Sequence, residues 1–179
     1  MLKKVLDRTV RKLESAKKKS FLNNYGLIGA MAVARYGVPR ATADFDFFVS
    51  LEKDNVALLA GDLKAEYKIG SVSDPLNAVI TFNVKDEVGE LPVQLIVFPK
   101  KWDELLCEHV EVLDFEGIQL NILNWKALIL LKLYAGSSRD LEDVKGILDV
   151  QKLTKADMEW LKAKASAFRV SKKLERVMG

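Results

Sequence analysis

One cysteine (Cys107) and one histidine (His109) in 179 residues remove several chemistries at once. No intrachain disulfide can form, and a lone thiol suits a reducing cytoplasm. A zinc site with several nitrogen or sulfur ligands is excluded, and His-based triads are disfavoured on the same count. Any metal chemistry must use oxygen ligands. Long apolar runs are missing too: none approaches the roughly 20 residues that span a bilayer, so no membrane partner is expected. The opening Met1-Leu2-Lys3-Lys4 leads into an amphipathic pattern and lacks the apolar core of a signal peptide. The chain has no internal repeat, low-complexity tract or disordered linker.

A hydrophobic content of 49% gives a chain of this length one substantial core, with room for a small helical appendage. The net charge of +3 is unevenly spread: residues 1–20 carry +6 and residues 161–179 carry +5, which leaves −8 between them. Basic ends around an acidic body can guide a polyanion such as RNA toward a metal site. The competing reading is that lysine-rich helix faces are simply solvated.

Apolar spacing predicts an amphipathic helix over 2–19, with Leu2, Val5, Leu6, Val10, Leu13 and Ala16 on the packed face. Strands are predicted at 25–28, 43–49, 67–72, 77–84, 91–98 and 110–115, with turns at Asp74-Pro75, Asp86–Glu90 and Gly117. Helices are predicted at 31–36, 53–64 and 102–107. Asn124 caps a long apolar helix ended by Gly136, Ser137 caps the next over 139–150, and Thr154-Lys155-Ala156-Asp157 is capping-box-like. Ser171 starts a final basic helix.

The segment from Gly29 to Ser50 organises the rest. A tight glycine, a short helix of small residues and a turn at Gly37 and Pro39 lead into a strand carrying Asp44 and Asp46. Two residues apart on a strand, these carboxylates leave one face while Phe45 and Phe47 leave the other. Paired carboxylates repel unless a cation lies between them, and a hard cation such as magnesium suits oxygen ligands. Small side chains after Gly29 let a backbone amide approach a phosphate, or merely allow tight helix–sheet packing. Thr42 shares the aspartates' strand parity, and Arg40 suits either a carboxylate or a phosphate.

Gly29-Ala30 followed by Asp44-Phe45-Asp46 resembles the nucleotidyltransferase superfamily, the DNA polymerase beta-like minimal fold. Arg40-Ala41-Thr42-Ala43-Asp44-Phe45-Asp46 is similar to the Arg-x-Thr-x-Asp-x-Asp of its small bacterial abortive-infection and toxin–antitoxin branch. The resemblance implies that Asp44 and Asp46 bind Mg2+ or Mn2+ and carry catalysis, and that Gly29, Ala30, Arg40 and Thr42 contact a nucleoside triphosphate. Ala30 stands where a phosphate-contacting serine is common, so only its backbone amide remains for that task. The superfamily places a third carboxylate on a later strand beside the first two; that position reads Gln94, an amide that can coordinate but cannot take up a proton. Lys132 with the following Arg139-Asp140 resembles the helical half of the abortive-infection type. This implies that Lys132 faces the triphosphate while Arg139 or Asp140 lines the cleft. The bland alternatives are a snorkelling Lys132 and an Arg139–Asp143 pair at i,i+4.

The fold expected is α+β: a mixed sheet carrying the acids, flanked by helices. A core over 1–120 is followed by a helical region over 121–179 closing the cleft, as one compact unit. The activity implied is transfer of a nucleoside monophosphate to an acceptor hydroxyl, with RNA, a protein or a small molecule left open as acceptor. A catalytically impaired relative that binds a nucleotide or a partner is the alternative. Self-association into a homo-oligomer is left open.

Overall fold

The computed structural model describes residues 2–179 apart from Arg40, Val72, Ser73, Asp86 and Val88. The Arg40 assignment, the end of the strand expected at 67–72 and the turn expected at Asp86–Glu90 therefore lie wholly or partly outside the described residues. The chain divides into two compact units, Met1–Met31 with Ala41–Leu123, and Ala32–Arg40 with Asn124–Gly179. Among the described residues there are eight α-helices and seven strands, an α+β architecture with a mixed sheet. No helix among them is long and apolar enough to cross a membrane.

The first unit begins with α1 (Leu2–Lys18), followed by β1 (Asn24–Leu27), the start of α2 (Gly29–Arg35), β2 (Phe45–Ser50) and α3 (Asn55–Leu63). Then come β3 (Glu66–Ile69), β4 (Ala78–Lys85), β5 (Glu90–Val97), a 3-10 turn at Lys100–Trp102, α4 (Asp103–Glu108), β6 (Val110–Phe115) and β7 (Ile118–Leu123). The strands lie in the order β3-β4-β5-β2-β1-β7-β6. The β2–β5 and β1–β7 pairs are parallel and the others antiparallel. Helices α1 and α3 cover the sheet face that presents Tyr25, Phe47, Ile80 and Phe82. Tyr25 Oη donates to Glu14 of α1 at 2.6 Å, and Lys12 of α1 lies over the Phe82 ring.

Three expectations change. On α1, Thr9 rather than Val10 faces the core, fully buried, its hydroxyl donating to the Val5 carbonyl at 2.8 Å. Leu2, expected on that face, is 41% exposed. Strand β7 was not expected. Gln119 and Asn121 alternate with buried Ile118, Leu120 and Ile122, and Phe115 pairs with Ile118 across a two-residue turn. Both turn residues, Glu116 (φ 51°) and Gly117 (φ 85°), are left-handed, as a type I′ hairpin requires. Asp114 secures the turn by accepting hydrogen bonds from Gly117 N and Gln119 Nε2, both at 2.9 Å.

The third change concerns β2, which starts at Phe45, so Asp44 precedes the strand in a bend instead of sharing its parity with Asp46. A local bond with Thr42 replaces the ladder at that point, as described below.

The second unit is helical: α5 (Trp125–Ala135), α6 (Ser138–Val150), α7 (Lys155–Ala167) and α8 (Ser171–Met178). Each of the first three is capped by the residue before it. Asn124 Oδ1 accepts from Ala127 N at 3.0 Å, while Ser137 with Asp140 and Thr154 with Asp157 form capping boxes. Helix α5 is buried nearly all round, through Ala127–Leu131 and Leu133. Residues 32–39 cluster with these helices: Val38 packs on Gly146, and Gln151 Nε2 donates to the Tyr36 carbonyl at 3.4 Å.

Candidate functional site

Gly29 sets the position of Asp46. Its φ of +68° lies in the left-handed region that favours glycine, where β1 gives way to α2. Ile28 N donates to the Asp46 carbonyl at 2.8 Å and draws the two segments together. The Asp46 side chain then lies against the Gly29 Cα. A Cβ at position 29 would collide with Asp46 Oδ2 and lie 2.9 Å from both Cβ and Cγ of that residue. Ala30 follows, buried.

Asp44 is held differently. Thr42 Oγ1 donates to its carboxylate at 2.6 Å and accepts from its backbone N–H at 3.4 Å. A hydroxyl therefore fixes the acid where the strand has not yet begun. Both Asp44 and Asp46 are half-buried, while Phe45 and Phe47 are buried behind them.

Across the sheet Asp46 is in register with Gln94 of β5, and Gln94 with Thr81 of β4. Gln94 is half-buried and Thr81 exposed. Oxygen donors available on this run of the sheet are thus carboxylate, amide and hydroxyl. Among the described residues no three His, Cys, Asp or Glu side chains gather as a metal cluster. A cavity of about 320 Å³ in this unit lies elsewhere, lined by Leu51, Val56, Ile69, Val97 and Phe98 beyond the C-terminal ends of β2 and β5.

In the helical unit Lys132 is half-buried and pairs with two acids. Its Nζ lies 2.8 Å from Asp140 Oδ1 and 3.0 Å from Asp143 Oδ2. Burial alone would raise the Asp140 pKa, but hydrogen bonds from Lys132 and Ser137, with the Lys132 charge, bring it below the ordinary value. Arg139 is exposed. Asp143, expected only as a partner of Arg139, is the second acid on Lys132. Its signal was the Asp-x-x-Asp spacing, which puts two carboxylates on one face of a helix.

No family model matches the sequence, and no curated protein matches it. Solved structures do. An antigenic nucleotidyltransferase-like protein from Paracoccidioides brasiliensis superposes with a TM-score of 0.56 at 17% identity, covering 98% of this chain and 91% of that one. The fold is nucleotidyltransferase-like. The antibiotic-resistance factor ANT(2'')-Ia shares it in solution, with a TM-score of 0.52 at 14% identity over 97% of this chain and all (100%) of that one. A crystal structure of ANT(2'')-Ia in complex with adenylyl-2''-tobramycin gives the same TM-score, 0.52, at 15% identity over 90% and 95% of the two chains. Within this nucleotidyltransferase-like fold, Gly29, Asp44, Asp46 and Gln94 all belong to the sheet-bearing unit.

Proposed function

We propose that this chain is a nucleotidyltransferase that transfers a nucleoside monophosphate from a nucleoside triphosphate to an acceptor hydroxyl. The observation that carries the reading is the Asp46 carboxylate packed on the bare Cα of Gly29, a space that any side chain at 29 would fill. The shared fold supports it, since ANT(2'')-Ia has been crystallised in complex with adenylyl-2''-tobramycin. An all-oxygen donor set of Asp44, Asp46 and the Gln94 carbonyl fits a hard divalent cation. When bound, Mg2+ or Mn2+ would neutralise the triphosphate and polarise the phosphate under attack.

The remaining roles fall to the chain itself. Thr42 orients Asp44 through the 2.6 Å hydrogen bond. The Ala30 amide and Arg40 contact phosphate, and catalysis is positioning and charge stabilisation. Lys132, Arg139 and Asp140 enter on the family resemblance. A triphosphate must compete with Asp140 and Asp143 for the Lys132 ammonium. The finer kinship, to the abortive-infection and toxin–antitoxin branch, is proposed on Arg40 to Asp46, and a cytoplasmic setting on the single cysteine.

One observation favours a second reading. Gln94, in register with Asp46, cannot accept the acceptor's proton, which suits a protein that binds nucleotide without transferring it. Calorimetry of each magnesium nucleotide, followed by pyrophosphate release with RNA, protein and small-molecule acceptors, separates the two. Asp44→Asn and Asp46→Asn are each expected to lower magnesium-dependent turnover about a hundredfold or more, about 2.7 kcal/mol. Binding without pyrophosphate from any acceptor selects the second reading. Nucleotide binding and turnover unchanged in both variants would end both.

A further inference from the structure

Trp102 is fully buried, as a packing tryptophan is, whereas Trp125 and Trp160 of the helical unit are only part-buried. These two share a lysine. Lys126 Nζ lies 5.6 Å from the Trp125 ring centroid and 5.7 Å from that of Trp160, and Lys164 Nζ lies 6.0 Å from Trp160. Lys126 is fixed by an ion pair with Asp157, which also closes the α7 capping box, so it acts as a spacer between the indoles.

Helix α7 extends the pattern. Trp160 and Lys164 lie four apart on one side of the helix, and Phe168 is its C-cap. Exposed Arg169 comes next, and residues 161–179 hold six Lys/Arg against Glu175 alone. Aromatic faces interleaved with cations match what an unpaired nucleotide offers, a flat base and an anionic phosphate. A duplex hides its base faces. A protein partner fits less well, because lysine is depleted in protein–protein interfaces.

We propose that this face of the helical unit binds single-stranded nucleic acid, with bases stacked on Trp160 and Trp125 and phosphates on Lys164 and Arg169. The binding goes beyond the transfer reaction and does not rest on it. It is therefore measured on the full chain in chelator, without nucleoside triphosphate, so that its outcome is separate from that of the reaction.

Fluorescence anisotropy of labelled oligo(A), oligo(dA) and a duplex, each about 12 nucleotides long, supplies the test. Both single strands, or either one, should bind more tightly than the duplex, quench tryptophan fluorescence and weaken as salt rises from about 50 to 200 mM. Trp160→Ala should weaken binding about tenfold or more, the loss expected for one stacked base. Trp160→Phe should recover part of it, and Lys164→Gln should reduce the salt slope. Circular dichroism checks each variant's fold; if Trp160→Ala unfolds, Trp160→Phe and Lys164→Gln decide. Failure of both single strands to bind at low salt, equal affinity for the duplex, or folded Trp160 and Lys164 variants that all bind like the parent would overturn the proposal.

Discussion

Two clusters of acids, one in each unit, are held in different ways. In the helical unit Asp140, Asp143 and Asp157 are each matched to a lysine of the same unit, Lys132 or Lys126. In the sheet unit Asp44 is held by a neutral hydroxyl, and Asp46 packs on a glycine while its sheet neighbour is an amide. Cation-matched acids fix helices to one another. An acid oriented by a neutral hydroxyl, as Asp44 is by Thr42, keeps its negative charge. We propose that the first set serves mainly structure and the second binding, and the contrast can be attacked from either side.

The largest effect is expected from Lys132→Met. It would take the shared Lys132 cation from Asp140 and Asp143, whose side chains are 16% and 5% exposed. Removing one partner from a buried ionic cluster costs about 3–5 kcal/mol. Urea unfolding at neutral pH measures it, and adding Asp140→Asn and Asp143→Asn should recover most of the loss. The sign with pH follows from the lowered Asp140 pKa. Its contribution is complete above the ordinary carboxylate value of 3.8 and disappears as pH falls through the lowered one. The gap between parent and variant should therefore narrow in acid. A cost near zero at neutral pH would show that these charges are solvated, and the comparison would fail.

Gly29→Ala strikes the other side. A left-handed φ costs an alanine about 1–2 kcal/mol, and here the new methyl also meets the Asp46 carboxylate. Gly117→Ala is the control: its φ of +85° brings similar strain, but nothing among the described residues lies within 4 Å of its Cβ. Both should lower the urea midpoint, and only Gly29→Ala should also abolish magnesium–nucleotide binding in calorimetry. Equal nucleotide affinity in the two variants would separate Gly29 from the site.

The sequence was most informative where chemistry and local pattern coincide. Asn124, Ser137 and Thr154 announce helices because a short polar side chain completes the first turn regardless of tertiary context. Strand β7 carries the period-two alternation of a half-buried strand, and it was passed over because the type I′ turn before it uses Glu116, an uncommon residue at positive φ. Thr9 was passed over as polar, although its hydroxyl is satisfied within its own helix. The adjacency of Asp46 and Gln94 depends on parallel pairing of strands far apart in the chain, which no local period encodes; family resemblance alone suggested it. Asp143 needed the packing of α5 on α6 to become a partner of Lys132.

Gln94→Asp sharpens the comparison at smaller cost. It sets a second carboxylate in register with Asp46, so without a cation the two repel and the urea midpoint should fall slightly. Magnesium should reverse that loss, and pyrophosphate release should rise about tenfold, about 1.4 kcal/mol, if an acidic oxygen is what the amide lacks. A rise in stability with magnesium but none in turnover would favour the nucleotide-binding reading. No response to magnesium would place Gln94 outside the ion's reach.

The smallest effect is expected from Asp157. Hydrogen bonds from Lys126 and Thr154 lower its pKa from 3.8 to about 2. Its contribution to stability is therefore complete above pH 3.8 and is lost as pH falls toward about 2. Protonation also releases Lys126 from its place between Trp125 and Trp160, so tryptophan emission should change over the same interval. Asp157→Asn should remove that acid step from both the urea midpoint and the emission. If the emission step survives in Asp157→Asn, Lys126 is held between the indoles by the rings themselves, and Asp157 serves only to cap α7.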